Sequence, residues 1–280
     1  MLKLKAHAKI NLNLQVIGLR SDGYHEIDSV MQSVSLHDNL TLSQQEAGIT
    51  VIASDLRIPS DARNTAHKAA RVFFDKTGVS SGVKIEIEKN IPIAAGLAGG
   101  SSDAAAVLVG LNKMFKTGLT GSDLINLAAE VGSDVPFCVQ GGTARCRGRG
   151  EIVEKIDIAE IGKLIFIIVK PEVSISTKWV YENFDRVFIA EGRLAGTHQQ
   201  MTGITLYNDL EKVVLPKYPE VEKIKKRLIH LGCPQALMSG SGSAVFGLTD
   251  DEQKAQAIYR EILKEYPRSF LVYPVPAGVL

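Results

Sequence analysis

The sequence predicts an α+β protein of two domains, and three observations carry that expectation. The length of 280 residues exceeds the ~100 to 200 of a single typical domain. The first third reads as mostly antiparallel β-structure: Ile10, Leu12, Leu14 and Val16 alternate strictly with Lys9, Asn11, Asn13 and Gln15, the period of a half-buried strand. The second half has a different rhythm, with strand, helix, two strands, helix and strand in turn, the split β-α-β-β-α-β order of ferredoxin-like domains.

Taken in order, Asp22-Gly23 marks a turn, and strand-like runs follow at Ser29–Leu36, Leu40–Leu42, Ile49–Ala53 and Val83–Glu88. A helix interrupts them: Asn64 or Thr65 can cap it, Ala66, Ala69, Ala70 and Phe73 form its apolar stripe, and Gly78 ends it. A small-residue loop from Pro92 to Ser102 leads into a helix expected to begin near Asp103, with Ala104, Val107, Leu108, Leu111 and Phe115 at helical spacing and Gly118 as its stop. A further helix over Gly121–Val131 halts at Gly132. Ser133-Asp134-Val135-Pro136 then connects to the apolar segment Phe137-Cys138-Val139. The domain boundary is expected in a loop from Arg145 to Glu154, giving domains of 1–150 and 151–280. Beyond it come strands Leu164–Val169, Gln235–Ser239, Ala244–Leu248 and Phe270–Tyr273, with helices Glu220–Leu231 and Glu252–Lys264. Ser174–Asn208 has no decisive pattern and is expected to hold substrate-side helices.

Composition narrows the function. With 32 Lys and Arg against 31 Asp and Glu there is no net charge to draw the chain onto nucleic acid or an anionic membrane, so any anion recognition is local. Cys138, Cys146 and Cys233 are far apart, without zinc-ligand spacing, which fits a reducing compartment. The N-terminus lacks a signal-peptide core and Leu164–Val169 is too short to span a bilayer, so the expectation is a cytoplasmic protein, monomeric or homodimeric.

The strongest chemical signal is Pro92-Ile93-Ala94-Ala95-Gly96-Leu97-Ala98-Gly99-Gly100-Ser101-Ser102 between a strand and a helix. Small residues let backbone N–H groups approach an anion, and the helix start adds unpaired donors and its positive dipole end. Ser101 and Ser102 offer hydroxyls for phosphate oxygens or a bound Mg²⁺. No Gly-Lys-Ser/Thr follows and the glycines do not fit G-x-G-x-x-G, so neither of the two commonest phosphate-loop patterns applies.

Lys9 and Asn11, two residues apart, share a strand face and could reach one substrate hydroxyl, although an isolated K-x-N is more often exposed decoration. Asp134 stands at a helix exit before a proline. An Asp that accepts a hydroxyl proton is what phosphoryl transfer to an alcohol needs, while a nearby lysine stabilises the developing alkoxide; alone, it reads equally as an Asx-turn. Met238-Ser239-Gly240-Ser241-Gly242-Ser243-Ala244 could be a second anion-facing loop or a plain hairpin connection. Tyr24, His25 and Tyr181 could stack on a base, and Arg145, Arg147 and Arg149 read as a solvated strand edge.

In this order, the Lys9 strand, the P-x-x-x-G-L-x-G-G-S-S loop, the G-S-D-V-P-F turn and the S-G-S-G-S loop resemble the GHMP kinase superfamily over nearly the whole chain. The resemblance implies a two-domain GHMP kinase fold: a ribosomal-protein-S5-like N-terminal domain that binds ATP and a ferredoxin-like C-terminal domain. Ala8-Lys9-Ile10-Asn11-Leu12, Arg20-Ser21-Asp22-Gly23-Tyr24-His25, the loop run on to Ala105 and Gly132-Ser133-Asp134-Val135-Pro136 are similar to the branch acting on 4-diphosphocytidyl-2-C-methyl-D-erythritol in the non-mevalonate route to isoprenoids. It further implies ATP and Mg²⁺ as cofactors, phosphorylation of the 2-hydroxyl, Asp134 as base and Lys9 as the group that orients and polarises the hydroxyl. Tyr24, His25 and Tyr181 would hold the cytosine, Asn11, Thr177 and Gly240 would help place the substrate, and Asn64 and Lys89 would lie on the nucleotide side. Ala98 departs from the glycine of several superfamily members and is expected at negative φ. Two other readings share these residues: a kinase for another alcohol, such as homoserine, mevalonate, phosphomevalonate or a sugar, and a non-catalytic nucleotide sensor on the same fold.

Overall fold

The computed structural model describes residues 1–189 and 206–279; the part of the undecided Ser174–Asn208 region from 190 to 205 lies outside the described residues. The first sheet is built on two long antiparallel strands, β1 (Leu2–Leu19) and β2 (His25–Gln45). The expected strands at Ser29–Leu36 and Leu40–Leu42 are parts of β2, because His37 and Asp38, which look like a polar break, continue the pairing with His7 and Ala6. Strand β3 (Ile49–Ala53) lies at the sheet edge, parallel to its neighbour. Helix α1 (Thr65–Thr77) has Asn64 as cap, its side chain accepting from Ala66 N, and Gly78 closes it in the left-handed region. Strand β4 (Gly82–Glu88) then pairs with β2 and β3.

Helix α2 (Gly99–Phe115) starts four residues earlier than Asp103, so Gly99 to Ser102 form its first turn; it ends on Lys116 in the left-handed region, ahead of Gly118. Its stripe of Ala104, Ala105, Val107, Leu108 and Leu111 packs with α1 and the sheet into one core. Helix α3 (Gly121–Val131) carries a Thr120–Asp123 capping box. A short helix, α4 (Val135–Gln140), follows at once.

Strands β5 (Thr143–Gly148) and β6 (Ile152–Lys155) correct the expected boundary loop. Arg145 to Glu154 is a hairpin whose first arm pairs with β2, so the chain leaves the first sheet only after Lys155. A 3₁₀ turn over Ala159–Lys163 leads to the second sheet. Strand β7 (Ile165–Val169) is buried along its whole length, as its unbroken apolar run requires. Helix α5 (Thr177–Phe184) continues into a π turn over Asp185–Ile189. Strand β8 (Tyr207–Asn208) adds to β1 of the first sheet, and α6 (Glu211–Lys217), α7 (Pro219–His230), β9 (Gln235–Met238), β10 (Val245–Thr249), α8 (Glu252–Glu265) and β11 (Ser269–Val272) complete the order.

The second sheet runs β11-β7-β10-β9, antiparallel throughout, the arrangement the β-α-β-β-α-β order produces. One face of β7, Ile165, Ile167 and Val169, packs with α7 and α8. The other, Phe166 and Ile168, meets Ala8, Ile10 and Leu12 of β1 and Ala95 and Leu97 of the small-residue loop. The two domains therefore share an apolar core, and one face of β1 is spent on it. Beyond β11 the chain returns to the first sheet, where Val275 N donates to Ser33 O (2.9 Å) and His7 N to Gly278 O (2.9 Å).

Candidate active site

A cleft of about 1150 Å³ opens between the two domains. Every residue expected at the site lines it except Ser102.

Lys9 and Asn11 are 4% and 1% exposed, not the solvated face that the alternation suggested, because Ser29, Asp134 and the loop at Gly240 pack around them. The Lys9 ammonium donates to Asn11 Oδ1 at 2.7 Å, Asn11 Nδ2 donates to Ser29 Oγ at 2.8 Å, and Lys9 Nζ stands 3.5 Å from Asp134 Oδ2. Asp134, 31% exposed at its side chain, follows α3 after two residues and is the N-cap of α4. The helix exit read from the sequence is thus also a helix entrance, whose dipole favours a negative charge. A buried, fixed ammonium beside a partly open carboxylate is a pair able to hold a hydroxyl and take its proton.

The small-residue loop forms the next wall. Ala94, Gly96 and Ala98 have φ of 50°, 76° and 58°, so Ala98 is left-handed and not at the negative φ expected. The alternate residues Ala95 and Leu97 are buried in the interdomain core, which accounts for their apolar character independently of any ligand. The backbone is also fastened from outside: Lys9 N donates to Leu97 O (3.2 Å), Ser239 Oγ to Gly96 O (3.0 Å) and Ala244 N to Ala95 O (3.0 Å). At Gly96 a Cβ would run into the Ser239 carbonyl, so glycine is required by close approach as well as by φ. Ser101 faces the cleft. Ser102 does not: its hydroxyl donates to His7 O (2.7 Å), because a helix that starts at Gly99 turns the fourth residue toward β1.

The second small-residue loop closes over the Lys9–Asn11 pair. A Cβ on Gly240 would lie 3.3 Å from Asn11 Oδ1 and 3.4 Å from Lys9 Nζ. Asn208 Nδ2 supports it by donating to Met238 O and Gly240 O, both 2.8 Å. Thr177, the first residue of α5, shares a hydrogen bond of 2.8 Å with Ser241 across the mouth.

At the far end, the His25 and Tyr181 rings stack with centroids 4.6 Å apart, and His25 Nε2 lies 2.6 Å from Asp185 Oδ1. Tyr24 stands apart from this stack, 50% exposed, with the Arg149 guanidinium 5.1 Å over its ring. Arg149 therefore reaches the cleft, whereas Arg145 chelates Asp28 and Arg147 pairs with Glu154. On the opposite side Asn64 lines the cleft while capping α1, and Lys89 enters through an ion pair with Asp38 and Asp103. Asp38 and Asp185 do not stand out in the sequence, and Asp103 reads there only as the start of a helix. A lone acid in the otherwise uncharged first turns of α2 is the available signal for Asp103; Asp38 and Asp185 sit in unremarkable polar contexts.

Residues 64–142 match the model of the GHMP kinases N terminal domain and residues 183–268 that of the GHMP kinases C terminal domain. Among curated relatives, 4-diphosphocytidyl-2-C-methyl-D-erythritol kinase of Clostridium botulinum (strain Loch Maree / Type A3) is 41% identical, covering 95% of this chain and 98% of its own. The same-named protein of Gloeobacter violaceus is 42% identical over 91% of this chain and 88% of its own. A crystal structure of 4-(cytidine 5'-diphospho)-2C-methyl-D-erythritol kinase superposes with TM-score 0.79 at 31% identity, covering 98% and 99% of the two chains. Homoserine kinase from Cytophaga hutchinsonii, at TM-score 0.73 and 22% identity over 99% and 96%, shares the fold. With both domains matched and this identity along nearly its entire length, the chain belongs to the GHMP kinases and, within them, to the 4-diphosphocytidyl-2-C-methyl-D-erythritol kinase family.

Proposed function

We propose that the chain transfers the γ-phosphoryl group of ATP to the 2-hydroxyl of 4-diphosphocytidyl-2-C-methyl-D-erythritol, giving the 2-phosphate and ADP, with Asp134 as general base and Lys9 as the cation that orients the hydroxyl. The supporting observation is the approach of Lys9 Nζ to Asp134 Oδ2, 3.5 Å, in the cleft walled by the loop from Pro92 to Ser101. Asp134 removes the hydroxyl proton as the oxygen bonds to the γ-phosphorus and the bond to the β,γ-bridging oxygen breaks. Lys9, locked by Asn11, stabilises charge on that oxygen without moving. The backbone N–H groups of the loop and of the first turn of α2 bind the phosphates, with Ser101 as a hydroxyl donor and Asn64 and Lys89 on the nucleotide side. Ser102 is left out of this set.

The cytosine is held at the end where His25 and Tyr181 stack, with Tyr24 at the rim. Asn11, Thr177 and Gly240 shape the space between base and hydroxyl. Among the described residues no cluster of three His, Cys, Asp or Glu side chains could hold a metal ion alone. That fits Mg²⁺ carried largely by nucleotide phosphates, which needs only one or two protein ligands. Ser101 and Asp103, whose Oδ1 is buried with no hydrogen-bond partner, are the residues that would complete its shell. When bound, the ion would neutralise charge on the β- and γ-phosphates.

The test is ATP turnover against a panel of alcohols. The reading expects ADP release with 4-diphosphocytidyl-2-C-methyl-D-erythritol and little with homoserine, mevalonate or phosphomevalonate; equal rates across the panel would overturn it.

A further inference from the structure

The Lys89 ammonium lines the cleft, yet its hydrogen bonds go to two carboxylates of the protein. It donates to Asp38 Oδ2 and, at 2.7 Å, to Asp103 Oδ2. Asp38, on β2, is wholly buried and does not line the cleft. Its other oxygen, Oδ1, accepts from Asn90 N at 2.6 Å and Ile91 N at 2.8 Å. Asn90 and Ile91 immediately precede Pro92, and Asp103 immediately follows Ser102. One chain of bonds, Asn90/Ile91–Asp38–Lys89–Asp103, therefore joins the entrance of the phosphate loop to its exit.

Inside the span so closed, Ala94 and Ala98 stand at φ of 50° and 58°. A left-handed conformation costs an L-residue about 1 to 2 kcal/mol, and such strain persists only where the surroundings over-determine it. Of the remaining ties on the loop, those from Lys9, Ser239 and Ala244 act on its middle residues, while Thr65 Oγ1 donates to Gly100 O (2.7 Å) and Ser102 Oγ to His7 O (2.7 Å) at its helical end. The charge chain is the tie that joins the entrance directly to the exit, and it is buried and so rigidly placed; removing one partner would leave an uncompensated buried charge.

We propose that Asp38 is a positioning residue for the nucleotide: with Lys89 and Asp103 it forms a staple across the base of the phosphate loop, holding the strained loop in its phosphate-binding shape without touching the ligand. This rests on the reading of the loop as the ATP phosphate cradle.

The test is calorimetric titration of Asp38→Asn with ADP in EDTA, which keeps any metal contact of Asp103 out of the measurement, together with the KM for ATP and for the alcohol. Loss of preorganisation should weaken ADP by on the order of tenfold and raise the ATP KM to match, with the alcohol KM unchanged. If Asp38→Asn does not fold, Asp103→Asn, which leaves the Asp38 bonds to Asn90 and Ile91 in place, is expected to give the same loss in EDTA. Folded Asp38→Asn with wild-type ADP affinity, or an equal rise in both KM values, would overturn the staple. A wild-type protein that binds no ADP would instead overturn the reading of the loop.

Discussion

Lys9 Nζ lies between Asn11 Oδ1, at 2.7 Å, and Asp134 Oδ2, at 3.5 Å, so one buried ammonium joins the middle of β1 to the start of α4. The nearer partner fixes the ammonium and leaves the Asp134 carboxylate room for an incoming hydroxyl. Lys9→Met keeps an unbranched side chain, one atom shorter, and removes the charge. It should lower kcat by on the order of 100-fold or more while nucleotide affinity, measured by ADP titration, stays within a few-fold. Normal kinetics would remove Lys9 from the reaction.

The stack of His25 on Tyr181 concerns the base and not the phosphoryl donor. Tyr181→Ala should raise the KM for the cytidine substrate by about tenfold, the scale of one base–aromatic contact, with the ATP KM unchanged. Asp185→Ala, which frees the His25 ring, should move the same constant in the same direction. Parallel changes in both KM values would contradict this division of the cleft.

The conformation of the phosphate loop makes opposite predictions for substitutions two residues apart. Ala98→Gly relieves a left-handed alanine, worth about 1 to 2 kcal/mol, against a chain-entropy cost of about 0.5 to 1 kcal/mol, so thermal unfolding should show a small gain in stability. A loss of 0.5 kcal/mol or more, on the scale of that entropy cost alone, would mean that Ala98 is not left-handed. Gly96→Ala drives a methyl group into the Ser239 carbonyl and should part the two small-residue loops, lowering kcat/KM by on the order of 100-fold.

Burial, partly offset by Lys89, pushes the Asp103 carboxyl up to about 7. In the unfolded chain the group releases its proton near ~3.9, so between those values the folded state holds a proton that the unfolded state has lost. Stability from this group therefore falls as pH rises through the window. The melting temperature of the wild type relative to Asp103→Asn should decline from pH 5 to about pH 7 and level off above. His7, whose pKa burial lowers, acts in both proteins and cancels in the comparison. A difference independent of pH would contradict the shifted Asp103.

Much of this was legible from local pattern, and what was missed has particular causes. The caps at Asn64 and Gly78 and the strand order of the second domain follow from short-range chemistry, which one sequence contains. The burial of Lys9 and Asn11 does not, because alternation along β1 identifies a polar face without saying that Ser29, Asp134 and Gly240, from distant parts of the chain, close over it. Ser102 reads as a phosphate ligand because helix phase depends on the first residue of α2, and a start at Gly99 in place of Asp103 turns its hydroxyl to His7 O. Arg145 to Glu154 carries Gly148 and Gly150 among its charges and reads as a boundary loop, while the partner of its first arm, β2, lies more than a hundred residues earlier. Asp38 and Lys89 are 51 residues apart, and nothing in either neighbourhood announces the other.

The reaction turns on Asp134 taking the proton of the alcohol. The most direct measurement is single-turnover phosphoryl transfer by Asp134→Asn, with ADP and cytidine-substrate affinities determined in parallel. The substitution preserves shape and removes the base, so transfer should slow by at least ~100-fold with both affinities nearly intact. A transfer rate equal to the wild type would contradict the account.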